Sequence, residues 1–88
     1  MPGRLVVDPN GEATLVVDAV PASRDKDYEI WVIQGDTPRP AGLFDGDART
    51  DIVRLTRLVP RGASVAVTLE RNGGVQQPTT RPLFVVRA

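Results

Sequence analysis

The sequence predicts an all-β fold: a small antiparallel β-sandwich, immunoglobulin-like in general architecture, with about seven short strands. Apolar residues occur in runs of about four to seven, and each run is closed by Gly, Pro, Asn or Asp. Turn signals recur roughly every ten residues, as they do in sandwiches and barrels. No window carries the apolar i, i+3, i+4, i+7 stripe of an amphipathic helix between helix caps.

The chain begins with a predicted β-hairpin. Leu5-Val6-Val7 precedes Asp8-Pro9-Asn10-Gly11, where Asn-Gly accepts the positive φ angles of a tight turn at low cost. Residues 12–18 predict the partner strand, because their odd-numbered positions are all apolar. Val20-Pro21 ends that strand, and residues 22–27 predict a polar loop.

The most apolar run, Tyr28-Glu29-Ile30-Trp31-Val32-Ile33, predicts the central strand. Its apolar residues fall on both faces, as expected of a strand that is covered on both sides. Residues 35–40 contain two prolines and a glycine, so we expect a loop there. Ala41-Gly42-Leu43-Phe44 predicts a short strand, and Asp45-Gly46 predicts another turn.

The second half of the chain contains one ambiguous stretch. Residues 52–59 hold apolar residues spaced for a turn of helix, and we interpret them as a strand or an irregular connection. Residues 63–70 predict the next strand, because their odd-numbered positions are apolar. Asn72-Gly73-Gly74 predicts a hairpin turn, and residues 82–87 predict the final strand.

Length and charge limit the classes of function. At 88 residues we expect a single domain over 1–88, with no interior linker. Eleven basic residues balance eleven acidic ones, which removes the clustered positive charge of a nucleic-acid binder and argues against anionic membrane surfaces. No apolar run approaches the length that spans a bilayer, and no signal peptide is visible after Met1. We therefore expect this chain to be soluble.

The sequence favours a protein that is not an enzyme and has no cofactor. Cysteine and histidine are absent, which removes thiolate metal sites, the commonest general base and the commonest transition-metal ligand. Ser23 and Ser64 have no histidine to activate them, so a serine triad is excluded. We expect no catalytic, cofactor-binding or metal-binding residues.

The densest group of carboxylates, here called the aspartate cluster, consists of Asp45, Asp47 and Asp51. A calcium loop requires oxygen ligands at alternate positions and a bidentate glutamate, whereas here Arg49 occupies the third ligand position. We therefore interpret the cluster as a solvated turn. Paired carboxylates for acid–base catalysis are disfavoured as well, because so thin a domain lacks a cleft that would raise one pKa.

Three other features carry a functional and a structural interpretation. Gly73-Gly74 is not a phosphate-binding loop, since no Lys-Ser/Thr pair follows it. Trp31 and Tyr28 could stack on a ligand, but a lone tryptophan in the most apolar strand more often packs in the core. The basic run predicts a solvated face, with a partner-binding role as the alternative. It consists of Arg49, Arg54, Arg57 and Arg61.

Several segments of strand and turn residues, in order and over nearly the whole chain, form a recognisable pattern: Val6-Val7-Asp8-Pro9, Ala19-Val20-Pro21, Tyr28 to Ile33, Pro40-Ala41-Gly42-Leu43-Phe44, Val67-Thr68-Leu69-Glu70, Gly73-Gly74 and Pro78-Thr79. Together they resemble the C-terminal domain of anti-sigma-K factor proteins of the RskA type. Two departures are Arg71, where the family usually has proline, and Val20-Pro21, where Leu-Pro is common.

The resemblance implies a regulatory role. In such proteins a cytosolic helical domain holds an extracytoplasmic-function sigma factor, a single membrane helix follows, and the C-terminal domain lies outside the membrane. Stepwise proteolysis of the anti-sigma protein then releases the sigma factor, so the resemblance implies that the outer domain acts as a sensor or as a shield for the cleavage region. The implied partners are site proteases, while the sigma factor would bind only the N-terminal domain, which is absent from this chain. The family offers no catalytic residues.

Two further expectations concern partners. A stand-alone extracellular carbohydrate- or protein-binding β module is the alternative function, and it would require an exposed Trp31. Homo-oligomers are also compatible with the sequence, because unpaired edge strands allow pairing between chains.

Overall fold

A computed structural model describes residues 3–18, 20–21, 24–46 and 49–88. These residues form two antiparallel sheets that pack as a sandwich, which confirms the predicted all-β fold. The seven strands of the described residues are β1 (Gly3–Val7), β2 (Ala13–Asp18), β3 (Lys26–Gln34), β4 (Thr37–Phe44), β5 (Thr50–Arg54), β6 (Ser64–Arg71) and β7 (Phe84–Arg87).

The first sheet has three strands in the order β1-β2-β5 and contains the predicted N-terminal hairpin. β1 pairs with β2 from Gly3 opposite Val17 to Val7 opposite Ala13. Asp8 closes the turn, because one of its carboxylate oxygens accepts hydrogen bonds from the N–H groups of Asn10 at 2.8 Å and Glu12 at 3.0 Å. The local sequence is therefore sufficient to form this turn.

The second sheet has four strands in the order β4-β3-β6-β7, so β3 lies inside the sheet as predicted. The loop predicted over residues 35–40 is wrong, because only residues 35–36 form a turn and β4 begins at Thr37. Proline cannot donate to a strand ladder, but Pro38 and Pro40 belong to a strand at the edge of the sheet. At such an edge a missing N–H costs no ladder hydrogen bond.

The ambiguous residues 52–59 contain no helix. β5 ends at Arg54, and the following residues form an irregular connection tied by backbone hydrogen bonds to other parts of the chain. Thr56 N–H donates to the carbonyl of Ala41 at 2.9 Å, and Val59 N–H donates to that of Gly11 at 2.8 Å. The first contact ties the connection to β4 of the second sheet, and the second ties it to the turn between β1 and β2 of the first sheet.

The core lies between the sheets and is built from alternate residues of each strand. β2 contributes Leu15 and Val17, while β3 contributes Tyr28, Ile30 and Val32. The rings of Tyr28 and Phe44 stack with centroids 5.2 Å apart. The Tyr28 hydroxyl donates a hydrogen bond to the carbonyl of Pro21 at 2.5 Å, which satisfies the polar end of this buried ring.

The connection between β6 and β7 is longer than a hairpin turn. Gly74 N–H donates to the carbonyl of Arg71 at 3.0 Å, so the predicted glycine turn is present. However, β7 begins only at Phe84, not at residue 82, and it pairs with the first half of β6, from Ser64 opposite Arg87 to Val67 opposite Phe84. Residues 72–83, here called the strap, therefore run back along the sheet.

Candidate functional site

The strap is attached to the second sheet by carboxylates on the face that points away from the first sheet. Residues 28, 30 and 32 of β3 point into the core, so Glu29 and Trp31 lie on this outer face. Glu70 lies there as well, because its neighbour Leu69 packs against the core. Glu29 and Glu70 are nevertheless buried, at 3% and 1% exposure.

Each carboxylate accepts hydrogen bonds from the strap. Glu29 accepts from the N–H of Val75 at 2.8 Å. Glu70 accepts from the N–H of Thr79 at 3.1 Å and also from the Thr79 hydroxyl. Near the start of β3, Asp27 accepts from the N–H of Gly73 at 2.9 Å. Three backbone N–H groups of the strap are thus satisfied by acidic side chains rather than by the backbone of a neighbouring strand.

The close approach at Gly74 depends on the absence of a side chain. A Cβ at Gly74 would lie 3.0 Å from Leu43 Cδ2 and 3.1 Å from both carboxylate oxygens of Glu29, and its φ angle is +82°. Only glycine adopts this conformation without strain while leaving that space open. The second glycine of the turn therefore positions the strap against Glu29.

The two glutamates have opposite pKa shifts. Burial raises the pKa of the Glu29 carboxyl, and the nearby charges of Glu70 and Asp27 raise it further against the lowering effect of the Val75 hydrogen bond. Burial acts in the same direction on Glu70, but hydrogen bonds from Thr79, Thr68 and the backbone outweigh it and lower the pKa. The fold therefore stabilises negative charge at Glu70 and disfavours it at Glu29.

Trp31 lies on the same outer face and is fully buried. Its ring N–H donates to the hydroxyl of Thr68 at 2.8 Å, so the polar edge of the indole is satisfied inside the protein. The prediction that Trp31 is buried is confirmed, although it lies outside the main cluster between the sheets. A ligand-stacking platform at Trp31 is inconsistent with this burial.

The other sequence candidates are not brought together into one site. In the basic run all four arginines are exposed, as predicted for a solvated face. Arg54 forms an ion pair with Glu12, and Arg57 donates to the carbonyl of Pro40 at 2.9 Å. Ser64 begins β6, whereas Ser23 lies outside the described residues.

In the aspartate cluster, Asp45 is exposed and Asp51 is half-buried, while Asp47 lies outside the described residues. The part of the chain that the structure describes contains no group of three or more side chains placed to hold a metal ion. Nor does it contain a helix of the length and hydropathy needed to cross a bilayer.

Comparison with known proteins gives the family. The family model described as "Anti-sigma-K factor rskA, C-terminal" matches residues 2–83. The chain belongs to this family. It is also similar to a Streptomyces griseus protein described as "Uncharacterized protein in phr 5'region", with 35% identity over 77 residues. That alignment covers 88% of this chain but only 32% of the relative, so the chain spans about a third of the relative's length. No solved structure matches.

Membership of the anti-sigma-K C-terminal family agrees with the resemblance inferred from the strand and turn motifs. Glu29 and Glu70 have a structural role that the sequence analysis missed, because both hold the strap by hydrogen bonds. The sequence did contain a signal for this role, because the strand predicted to be covered on both faces includes Glu29, and a buried carboxylate requires hydrogen-bond donors. What the sequence did not show was where those donors lie.

Proposed function

We propose that this chain is the extracytoplasmic regulatory domain of a membrane-bound anti-sigma factor, and that it controls an extracytoplasmic-function sigma factor through regulated proteolysis. The observation that carries this proposal is the family match over residues 2–83. A relative about three times as long leaves room for a sigma-binding domain and a membrane helix outside the matched region. In this proposal residues 1–88 form one module, which lies outside the membrane and catalyses no reaction.

The strap supplies a physical basis for such control. Proteases cut extended, accessible backbone, and a strap that is held by side-chain carboxylates has fewer backbone hydrogen bonds to lose than a strand inside a sheet. We propose that the attached strap maintains the protease-resistant state and that its release changes the cleavage of the anti-sigma protein. Site proteases are the partners of this domain, and the sigma factor binds a different part of the full-length protein.

The test uses the full-length protein in its own bacterium. Glu70→Ala removes the carboxylate that holds Thr79. The matched control is Glu12→Ala, because Glu12 is an exposed carboxylate between β1 and β2, away from the strap. Sigma-dependent transcription is followed with a reporter, and cleavage is followed by immunoblotting. We expect Glu70→Ala to raise reporter activity and cleavage in the absence of a signal, while Glu12→Ala behaves as the wild type.

Two results would count against this proposal. One is a full-length protein that lacks residues 1–88 yet retains normal cleavage and normal sigma-factor control. The other is a Glu70→Ala protein whose strap is cut readily by added protease in vitro while cleavage in the cell is unchanged.

A further inference from the structure

The last half of β6 has no strand on its outer side. β7 pairs with Ser64 to Val67 only, whereas β6 continues to Arg71. Within the described residues, 68–71 therefore pair with β3 on one side and border the strap on the other. The carbonyl of Arg71 already accepts from the N–H of Gly74 at 3.0 Å, but an edge without a neighbouring strand still presents its other backbone groups to an extended chain beside it.

The backbone groups that face this edge belong to Leu69 and Arg71. In an antiparallel ladder, the N–H and C=O of one residue point to the same neighbour, and alternate residues share a direction. The carbonyl of Val67 accepts from the N–H of Leu83 at 2.8 Å, so odd-numbered residues of β6 face the side of β7 and the strap. The carbonyl of Leu69 accepts from the hydroxyl of Thr80 at 3.0 Å.

A cavity of about 350 Å³ opens beside this edge, and its chemistry indicates the kind of ligand. Lys26 and Arg71 are register partners, so their exposed side chains leave the same face of the sheet next to each other. Neither forms an ion pair with a described residue. Glu70 also reaches the cavity, but hydrogen bonds from Thr79 already occupy its carboxylate.

We propose that the outer edge of β6 binds an extended peptide that carries an acidic side chain, as an added strand beside residues 69–71. The N–H groups of Leu69 and Arg71 donate to the peptide carbonyls. The carbonyl of Leu69 accepts a peptide N–H in exchange for the Thr80 hydroxyl. Lys26 and Arg71 contact the acidic side chain and select for it, since strand addition alone recognises only backbone. The proposed role in proteolysis is not a premise for this site, although the strap residue Thr80 takes part in both.

The first experiment is a nuclear magnetic resonance titration of the 88-residue chain, labelled with ¹⁵N. The probe is a blocked six-residue peptide of alternating valine and aspartate, and the control peptide has lysine in place of aspartate. We expect the amide signals of Leu69 and Arg71 to shift and to gain protection from hydrogen exchange. The acidic peptide should bind at least about fivefold more tightly than the lysine peptide, because a strong exposed ion pair contributes about that much to affinity.

Variants separate the roles of charge and backbone. Lys26→Glu should weaken binding of the acidic peptide about fivefold, whereas Arg39→Glu, an exposed arginine on β4, should leave it unchanged. Thr80→Val removes the hydroxyl that competes for the Leu69 carbonyl, so it should strengthen binding about twofold or more. Fluorescence of the buried Trp31 checks that each variant is folded.

Several results would overturn the proposal. Equal affinity for the acidic and basic peptides would remove the role of Lys26 and Arg71. Shifts confined to another edge would place the peptide elsewhere, and no shift at about 5 mM peptide would indicate that no site exists. Shifts that depend on protein concentration without peptide would show that a second copy of the chain occupies the edge instead.

Discussion

The clearest test of the strap is a pair of substitutions that remove one charge each and should change stability in opposite directions. Glu70→Gln should lower the free energy of unfolding at neutral pH, whereas Glu29→Gln should leave it unchanged or raise it. Both side chains are buried on the same face of the second sheet, and both accept hydrogen bonds from the strap. The pair therefore controls for position, size and burial.

The expected cost of Glu70→Gln follows from its donors. The N–H and the hydroxyl of Thr79 and the hydroxyl of the buried Thr68 all donate to this carboxylate, whereas the single oxygen of an amide can accept only two of these three hydrogen bonds. A buried donor left without a partner costs about 1–3 kcal/mol, and loss of charge weakens the remaining hydrogen bonds. We expect the free energy of unfolding to fall by about 2–4 kcal/mol.

Glu29→Gln has a different expected effect because Glu29 accepts one hydrogen bond, from Val75, and the amide oxygen of glutamine can accept it as well. The substitution also removes a buried charge that is repelled by Glu70 and Asp27. The substitution weakens a charge-assisted hydrogen bond, which lowers the free energy of unfolding. It also removes the cost of burying a repelled charge, which raises the free energy of unfolding by a similar amount. We expect a net change of about 0–1 kcal/mol, towards greater stability.

The difference in stability between each variant and the wild type depends on pH, in a direction that follows from the pKa shifts of the two glutamates. Folding lowers the pKa of Glu70, so its ionised form stabilises the protein above the usual carboxyl pKa, and this contribution is lost as pH falls through the folded pKa. Folding raises the pKa of Glu29, so its contribution is present below the usual pKa and is lost as pH rises through the folded pKa. Both variants should therefore approach the wild type as the solution is acidified.

The assay is urea unfolding of the 88-residue chain followed by the fluorescence of its single tryptophan, at neutral pH and at several acidic pH values. Equal losses of stability in the two variants would refute the assignment of different roles to the two glutamates. A Glu70→Gln variant as stable as the wild type would show that Thr79 is not held by a buried charge.

Four further outcomes can be checked with the same chain. In urea unfolding, Gly46→Ala should lower the free energy of unfolding by about 3 kcal/mol, and Gly35→Ala should lower it by only about 1 kcal/mol. Both glycines have a positive φ angle, but only a Cβ at Gly46 would lie 2.9 Å from the Tyr28 ring. Equal losses of stability would contradict the packing at Gly46. Tyr28→Phe should cost about 1–2 kcal/mol by leaving the carbonyl of Pro21 without its donor, and an unchanged midpoint would argue against that hydrogen bond. In the wild type, burial and then the charge of Asp51 raise the pKa of the Tyr28 phenol, so ultraviolet titration should show ionisation only above the usual range for tyrosine. Calcium at millimolar concentration should not raise the melting temperature, and a rise would restore the aspartate cluster as a calcium site.

Local patterns predicted much of the fold. Asp8-Pro9-Asn10-Gly11 forms its turn from its own side chain and backbone, so neighbouring residues are enough to predict it. Alternation in residues 12–18 and 63–70 identified β2 and β6, because one face of each strand packs in the core. The prediction of a loop over residues 35–40 was wrong because prolines are compatible with a strand at the edge of a sheet, where β4 lies. Whether a strand lies at an edge depends on the whole sheet and cannot be read from neighbouring residues.

The sequence by itself determined the strand and turn pattern, the sandwich and the resemblance to the anti-sigma-K C-terminal family. It also placed Glu29 and Glu70 within strands, where alternation alone assigns a charged residue to solvent. Only the tertiary structure decided that both are buried, because the strap brings donors from Val75 and Thr79 across the sheet. The same path of the strap leaves the end of β6 without a strand beside it. Hydrogen-bond donors from a distant segment lower the free-energy cost of burying a charge, and the pattern of neighbouring residues does not predict where such donors will lie.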